Sequence, residues 1–202
     1  VVLDIYDLNG ERVHHAEKTM DAKHDTSVAA LDIPALEDTS SLRFLKTAVY
    51  DGSEQIADNF YWMNADESQD YRELNMLPRI QLTKTVKQLD NIGDARYQVT
   101  ITNPTDTPAL TVRLKTLDAT TGEQMLPVYY DDNYISLMPG ESQTITLEID
   151  NRFSTGTPQF ELEGWNVVPT DLPEGQLISE PKMFLQSTVN NLYSDAALKK
   201  TA

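Results

Sequence analysis

The sequence predicts an all-β chain built as two consecutive antiparallel sandwiches. Three observations predict it: short apolar runs alternate with polar residues, turn residues separate those runs, and nothing before the C-terminal tail keeps a helical period. Alternation buries one face of a strand and leaves the other wet, so its repetition calls for sheets stacked on shared cores.

In the first part, Val1 to Tyr6 reads as a strand that runs into Asn9-Gly10, a dipeptide suited to the positive φ angles of a tight hairpin turn. Leu42 to Tyr50 then passes through Asp51-Gly52 into Gln55 to Trp62, a second hairpin with strong β-formers on both sides. The second part alternates more regularly. Tyr97, Val99 and Ile101 interleave with Gln98, Thr100 and Thr102; Leu110, Val112 and Leu114 with Thr111, Arg113 and Lys115; Ile145, Leu147 and Ile149 with Thr144, Thr146 and Glu148. Each apolar set is expected to point into one shared core. Asn103-Pro104-Thr105-Asp106-Thr107-Pro108, Thr121-Gly122 and Pro139-Gly140 punctuate these strands, because proline cannot donate to a ladder and glycine tolerates left-handed angles. Turns at this spacing suggest a sandwich. Asp66 to Pro78 is polar, lacks alternation and ends in Leu77-Pro78, which sets the expected domains at 1–78 and 79–168. A tail, 169–202, with a short helix around Ser194 to Lys200, is expected to pack on one of them.

Composition limits the partners. The chain carries 32 acidic against 16 basic side chains for a net charge of -16, which repels nucleic acid and anionic lipid, and neither is expected as a partner. No run approaches the roughly 18 consecutive apolar residues of a membrane-spanning helix. The carboxylates read first as a solvated face, although an acidic surface also concentrates cationic ligands. With 0 cysteines, disulfides and thiolate chemistry are absent and the redox compartment is left open. A chain that opens directly on a strand, with no initiator Met and no signal segment, reads as a piece of a longer protein.

Several runs resemble a known family. They are Phe60-Tyr61-Trp62, Asp70-Tyr71, Leu77-Pro78, Thr102-Asn103-Pro104 with Ala109, the stretch from Pro127-Val128-Tyr129-Tyr130-Asp131-Asp132-Asn133-Tyr134 through Ile135-Ser136-Leu137-Met138-Pro139-Gly140-Glu141-Ser142, and Gly164-Trp165-Asn166. Together they resemble the C-terminal region of glycoside hydrolase family 2, in its exo-β-D-glucosaminidase and β-mannosidase branch, from Val1 to about Val167. In that family a sugar-binding-like β domain, an immunoglobulin-like domain and a catalytic (β/α)8 barrel come first, and immunoglobulin-like domains follow. The resemblance implies that this chain is the following part, with the barrel of its own polypeptide as partner, no cofactor, and a periplasmic or secreted parent. The family's acid/base and nucleophile are glutamates at barrel strand ends; no position here matches them, so no catalytic residue is expected.

Each remaining constellation has a plainer reading beside the functional one. A glycosidase needs two carboxyls about 5–10 Å apart across the sugar, whereas strand-borne Glu148, Glu161 and Glu163 read as polar-face residues. His14 and His15 would point to opposite faces of a strand, and with His24 they read as surface histidines, so no metal site is expected. Asp131-Asp132-Asn133 offers calcium-type oxygens without the ligand spacing of a calcium loop, and reads as an Asx-rich turn. Trp62 and Trp165 read as core or interface packing before sugar platforms. The candidate ligand site is the cluster Tyr129, Tyr130, Asp131, Asp132, Asn133 and Tyr134, because aromatic faces stack on sugar rings and carboxylates bind hydroxyls or an ammonium group; the plainer reading is that the tyrosines anchor a long loop to the sandwich. The expected function is therefore accessory support of a barrel without catalysis. The rivals are a stand-alone carbohydrate-binding module and a surface adhesin fragment.

Overall fold

A computed structural model describes residues 1–21, 23–34, 42–64, 70–90, 94–154 and 156–169. The expected tail beyond 169 and its helix around 194–200 lie outside these residues. The first part folds as its alternation directs. Strands β1 (Val2–Tyr6) and β2 (Arg12–Glu17) form the hairpin expected at Asn9-Gly10, with Gly10 at φ 79°. Strands β3 (Leu42–Asp51) and β4 (Glu54–Asn64) form the second hairpin, turning at Gly52 with φ 60°. The four make one antiparallel sheet in the order β2-β1-β3-β4.

A 3₁₀ turn, Arg72–Met76, precedes the second part. Its strands are β5 (Thr83–Asp90), β6 (Ala95–Thr102), β7 (Ala109–Asp118), β8 (Val128–Tyr130), β9 (Ile135–Leu137), β10 (Ser142–Ile149) and β11 (Pro158–Glu163). They form a sheet ordered β5-β6-β10-β8 and a second ordered β11-β7-β9. The two share one core: Val99, Ile101, Ile145, Leu147 and Ile149 meet Val112, Leu114, Ile135, Leu137, Phe160 and Leu162. Burying each such side chain contributes about 1.5–3 kcal/mol relative to leaving it in water. This is the expected immunoglobulin-like sandwich. Strand β5 escapes sequence reading because its outer residues, Val86 included, face solvent; its backbone pairing to β6 defines it.

One apolar set divides. Alternation puts Leu110 in the same core as Val112 and Leu114, but the β7–β9 register shifts between Ala109 and Val112, and Thr111 adopts φ 48°. A bulge of this kind reverses the side-chain parity. Leu110 is consequently turned out of the sandwich and buried in a second cluster with Leu42, Phe44, Leu74 and Met138.

That second cluster joins the two parts. A sandwich of its own is expected for the first part; among the described residues that part supplies one sheet, and the second part closes its Phe44 face. Phe44, stacked on Phe60 at 5.6 Å, meets Leu110 and Met138 from the sandwich. Trp62 and Trp165 touch edge to face at 6.0 Å, the packing role read from the sequence, and the indole nitrogen of Trp165 donates to Leu74 O at 3.1 Å. The Gly10 turn sits so close to the Pro139 ring that a Cβ on Gly10 would lie 2.5 Å from Pro139 Cδ. Lys46 of β3 pairs with Glu141 at 2.6 Å, and Glu141 also accepts from the Met138 amide at 2.9 Å. The opposite face of the first sheet buries Leu3, Ile5 and Leu45 against Leu31 and Met63.

Tyr6 borders the joint and gives it a pH dependence. Burial first, then the negative charges of Asp4 and Glu141, push its phenol up to about 12. The folded chain holds this proton more tightly than the unfolded chain, whose tyrosine titrates near 10. The contribution is therefore whole below about pH 10 and lost as pH rises toward 12. Tyr6→Phe is expected to flatten the alkaline fall in unfolding free energy by about 1–2 kcal/mol, discounted because the ring is partly solvated. Urea titrations of both proteins from pH 9 upward read this directly, and parallel curves would refute it.

Candidate functional site

The loop from β8 to β9 is built on borrowed backbone. β7 pairs with β9 only as far as Val112↔Ile135, which leaves the peptide of Leu114 without a strand neighbour on that side. Asn133 supplies one: its Oδ1 accepts from Leu114 N at 2.8 Å and its Nδ2 donates to Leu114 O at 3.0 Å. Asp131 does the same for β10, its amide donating to Thr146 O at 3.0 Å and its carboxylate accepting from Thr146 N at 2.8 Å. The Asn133 side chain, and the main-chain N–H and carboxylate of Asp131, thus extend the two sheets by one step, and the loop between them is held from two sides. Removing Asn133 as Asn133→Ala strands a donor and an acceptor in a half-buried position, with an expected cost of about 1–3 kcal/mol in urea unfolding. An unchanged midpoint would show that the amide is dispensable.

The held loop lines an open depression of about 530 Å³. Five of the six residues expected at the site line it: Tyr130, Asp131, Asp132, Asn133 and Tyr134. Tyr129 does not. It belongs to β8, where neighbouring side chains point to opposite faces, and it stands 62% exposed on the other side. Tyr130 turns inward, its hydroxyl 2.8 Å from Thr116 Oγ1, and burial raises its pKa even though that hydrogen bond works the other way. Asp132 accepts from the Asn133 amide at 2.7 Å and from Gln143 Nε2 at 2.6 Å. Tyr134 sits at φ 59° with its ring 61% exposed. A left-handed tyrosine is strained by about 1–2 kcal/mol, which the hydrogen bonds around Asn133 offset.

Sequence reading missed Arg113, Leu114 and Gln124, which complete the depression. Arg113 was visible as a polar-phase residue of β7, but only the return of the loop through Asn133 brings it beside Tyr134. Its guanidinium lies 5.9 Å from the Tyr134 ring centroid and pairs with Glu163 of β11 at 3.0 Å. Lys115 pairs with Glu161 and, at 3.0 Å, with Glu163. Burial works to lower the Lys115 pKa, yet its hydrogen bonds to the two carboxylates leave it raised. Glu161 and Glu163 are therefore rungs of a charge ladder on the outer face of β11-β7-β9, in keeping with their polar-face reading.

The histidines and carboxylates resolve in the same way. His15, its side chain 43% exposed, contacts Asp4 at 2.7 Å, and His24 contacts Asp25 on the surface. No group of three or more His, Cys, Asp or Glu side chains able to hold a metal occurs among the described residues. Among them no helix is long and apolar enough to cross a membrane.

Comparison with known proteins agrees with this architecture. The family model of the exo-beta-D-glucosaminidase Ig-fold domain matches residues 59–167. The chain is 22% identical over 182 residues to an exo-beta-D-glucosaminidase of Arthroderma benhamiae, covering 83% of this chain and 20% of that protein. It is 28% identical over 193 residues to an exo-beta-D-glucosaminidase of Hypocrea jecorina, covering 84% and 21%. The exo-chitosanase CsxA of Amycolatopsis orientalis superposes with a TM-score of 0.71 at 25% identity, over 85% of this chain and 23% of that one. The chain thus spans about a fifth of the length of the relatives it matches. With its sandwich, its Trp165-Asn166 joint and more than half of its 202 residues inside that match, the chain belongs to the exo-beta-D-glucosaminidase Ig-fold domain family.

Proposed function

We propose that this chain is the non-catalytic accessory region of a longer glycoside hydrolase acting on β-linked glucosamine, and that its partner is the catalytic barrel of the same polypeptide. The observation that carries this reading is the alignment: the chain corresponds to an Ig-fold domain and to about a fifth of enzymes named for glucosaminidase activity. Residues 1–78 and 79–168 act together as one rigid support. The shared cluster of Phe44, Leu110 and Met138, the Lys46–Glu141 pair and the Trp165 hydrogen bond favour stiffness over hinge motion at this joint. The carboxylates of the depression also favour positioning over chemistry, since Asp131 and Asp132 are engaged by amide donors.

The test uses two proteins: this chain alone, and the chain with the residues encoded before Val1. The longer protein is expected to release the phenol from an aryl β-D-glucosaminide, and the 202-residue chain to release none. Turnover by the short chain would overturn the accessory reading.

A further inference from the structure

We propose that the depression beside Tyr134 binds an oligosaccharide that carries amino groups, as a secondary sugar site on the outside of the sandwich. This rests on the glycosidase reading above for the polymer class; the ligand chemistry comes from the depression itself. Sugar recognition needs an aromatic face for the apolar side of the ring, planar polar groups for hydroxyls, and a scaffold that is ordered before the ligand arrives. All three converge here.

Tyr134 presents a largely exposed ring, and its orientation is set from both directions. Its backbone is held at φ 59°, and the Arg113 guanidinium lies over the ring, 5.9 Å from its centroid. Arg113 is itself tied to Glu163, so its charge is balanced and does not repel a cation. Asp132 stands exposed beside the same hollow. Each ionised carboxylate has about four lone-pair directions, and two on Asp132 are used, by the Asn133 amide and by Gln143. The rest are open to an ammonium group or a hydroxyl. Because Asn133 and Asp131 are fixed to the backbones of β7 and β10, little conformational freedom remains to be lost on binding. The volume of about 530 Å³ falls inside the range of small-molecule sites, about 300–1,000 Å³. A net charge of -16 adds long-range attraction for a cationic polymer.

Long-range attraction alone would also give diffuse binding, so the test must separate a site from a field. Fully deacetylated chitosan oligosaccharides are titrated calorimetrically into the 202-residue chain at moderate salt, beside N-acetylated chitin and mannan oligosaccharides. Saturable binding of the amino form is expected, with weaker binding of the other two. Tyr134→Ala and Asp132→Asn are each expected to weaken it by about tenfold or more, and Tyr134→Phe to retain it. Both side chains are exposed, and matching circular dichroism and unfolding curves check that the variants fold. Absence of saturable binding, or equal affinity in wild type and both variants, overturns the site. Turnover by the longer protein is scored separately: a glucosaminidase whose accessory region binds no oligosaccharide leaves the support role standing and removes only the groove.

Discussion

Asn166→Asp is expected to destabilise the chain by about 3–5 kcal/mol, the range for an uncompensated buried charge. Asn166 is 2% exposed, and its amide nitrogen donates to Pro78 O at 3.1 Å and to Pro108 O at 2.8 Å. Its side-chain oxygen accepts from Leu110 N at 3.1 Å, and its own carbonyl accepts from Ile80 N at 2.8 Å. One side chain therefore ties the entry to the sandwich, the loop before β7 and the bulged start of β7. An aspartate has the same shape but no donor, so two carbonyl oxygens would face a carboxylate with nothing between them. Urea unfolding measures the loss. A drop of less than about 1 kcal/mol would mean that water or a protonated carboxyl replaces the lost donors.

Phe44→Ala is the second large effect, with an expected cost of about 3–5 kcal/mol from lost transfer energy and the cavity left behind. Phe44 is fully buried at the centre of the cluster that joins the first sheet to the sandwich. The surrounding Phe60, Leu110 and Met138 sit on different parts of the fold and cannot all collapse inward together. The sheet should also lose its coupling to the sandwich, so tryptophan fluorescence, which reports on Trp62 and Trp165 at the joint, should change before far-ultraviolet dichroism. Phe153→Ala serves as the control: that ring is 71% exposed, and its removal is expected to cost less than about 0.5 kcal/mol. Equal losses in both variants would contradict the assignment of the joint.

Much of this fold was legible because alternation is a local property. The hairpins at Asn9-Gly10 and Asp51-Gly52, and the inward sets of β6 and β10, follow from residues a few positions apart. Leu110 was misdirected because a bulge at Thr111 breaks parity without a sequence mark; threonine is an ordinary strand residue. The candidate site was half legible. Its aromatic and acidic residues were found by type, yet Tyr129 faces away because alternation along β8 sets it opposite Tyr130, and Arg113 enters from a different strand.

What the sequence determined alone was the all-β class, the turn positions, the polar face that carries Glu161 and Glu163, and the acidic surface. Tertiary structure decided that Trp62 meets Trp165, that Phe44 rests on Leu110, and that Asn133 completes β7 to open a groove beside Tyr134. The reason is physical. A pattern of period two says which face of a strand is dry, but any dry face can cover any other, and only packing and backbone hydrogen-bond satisfaction select the partner.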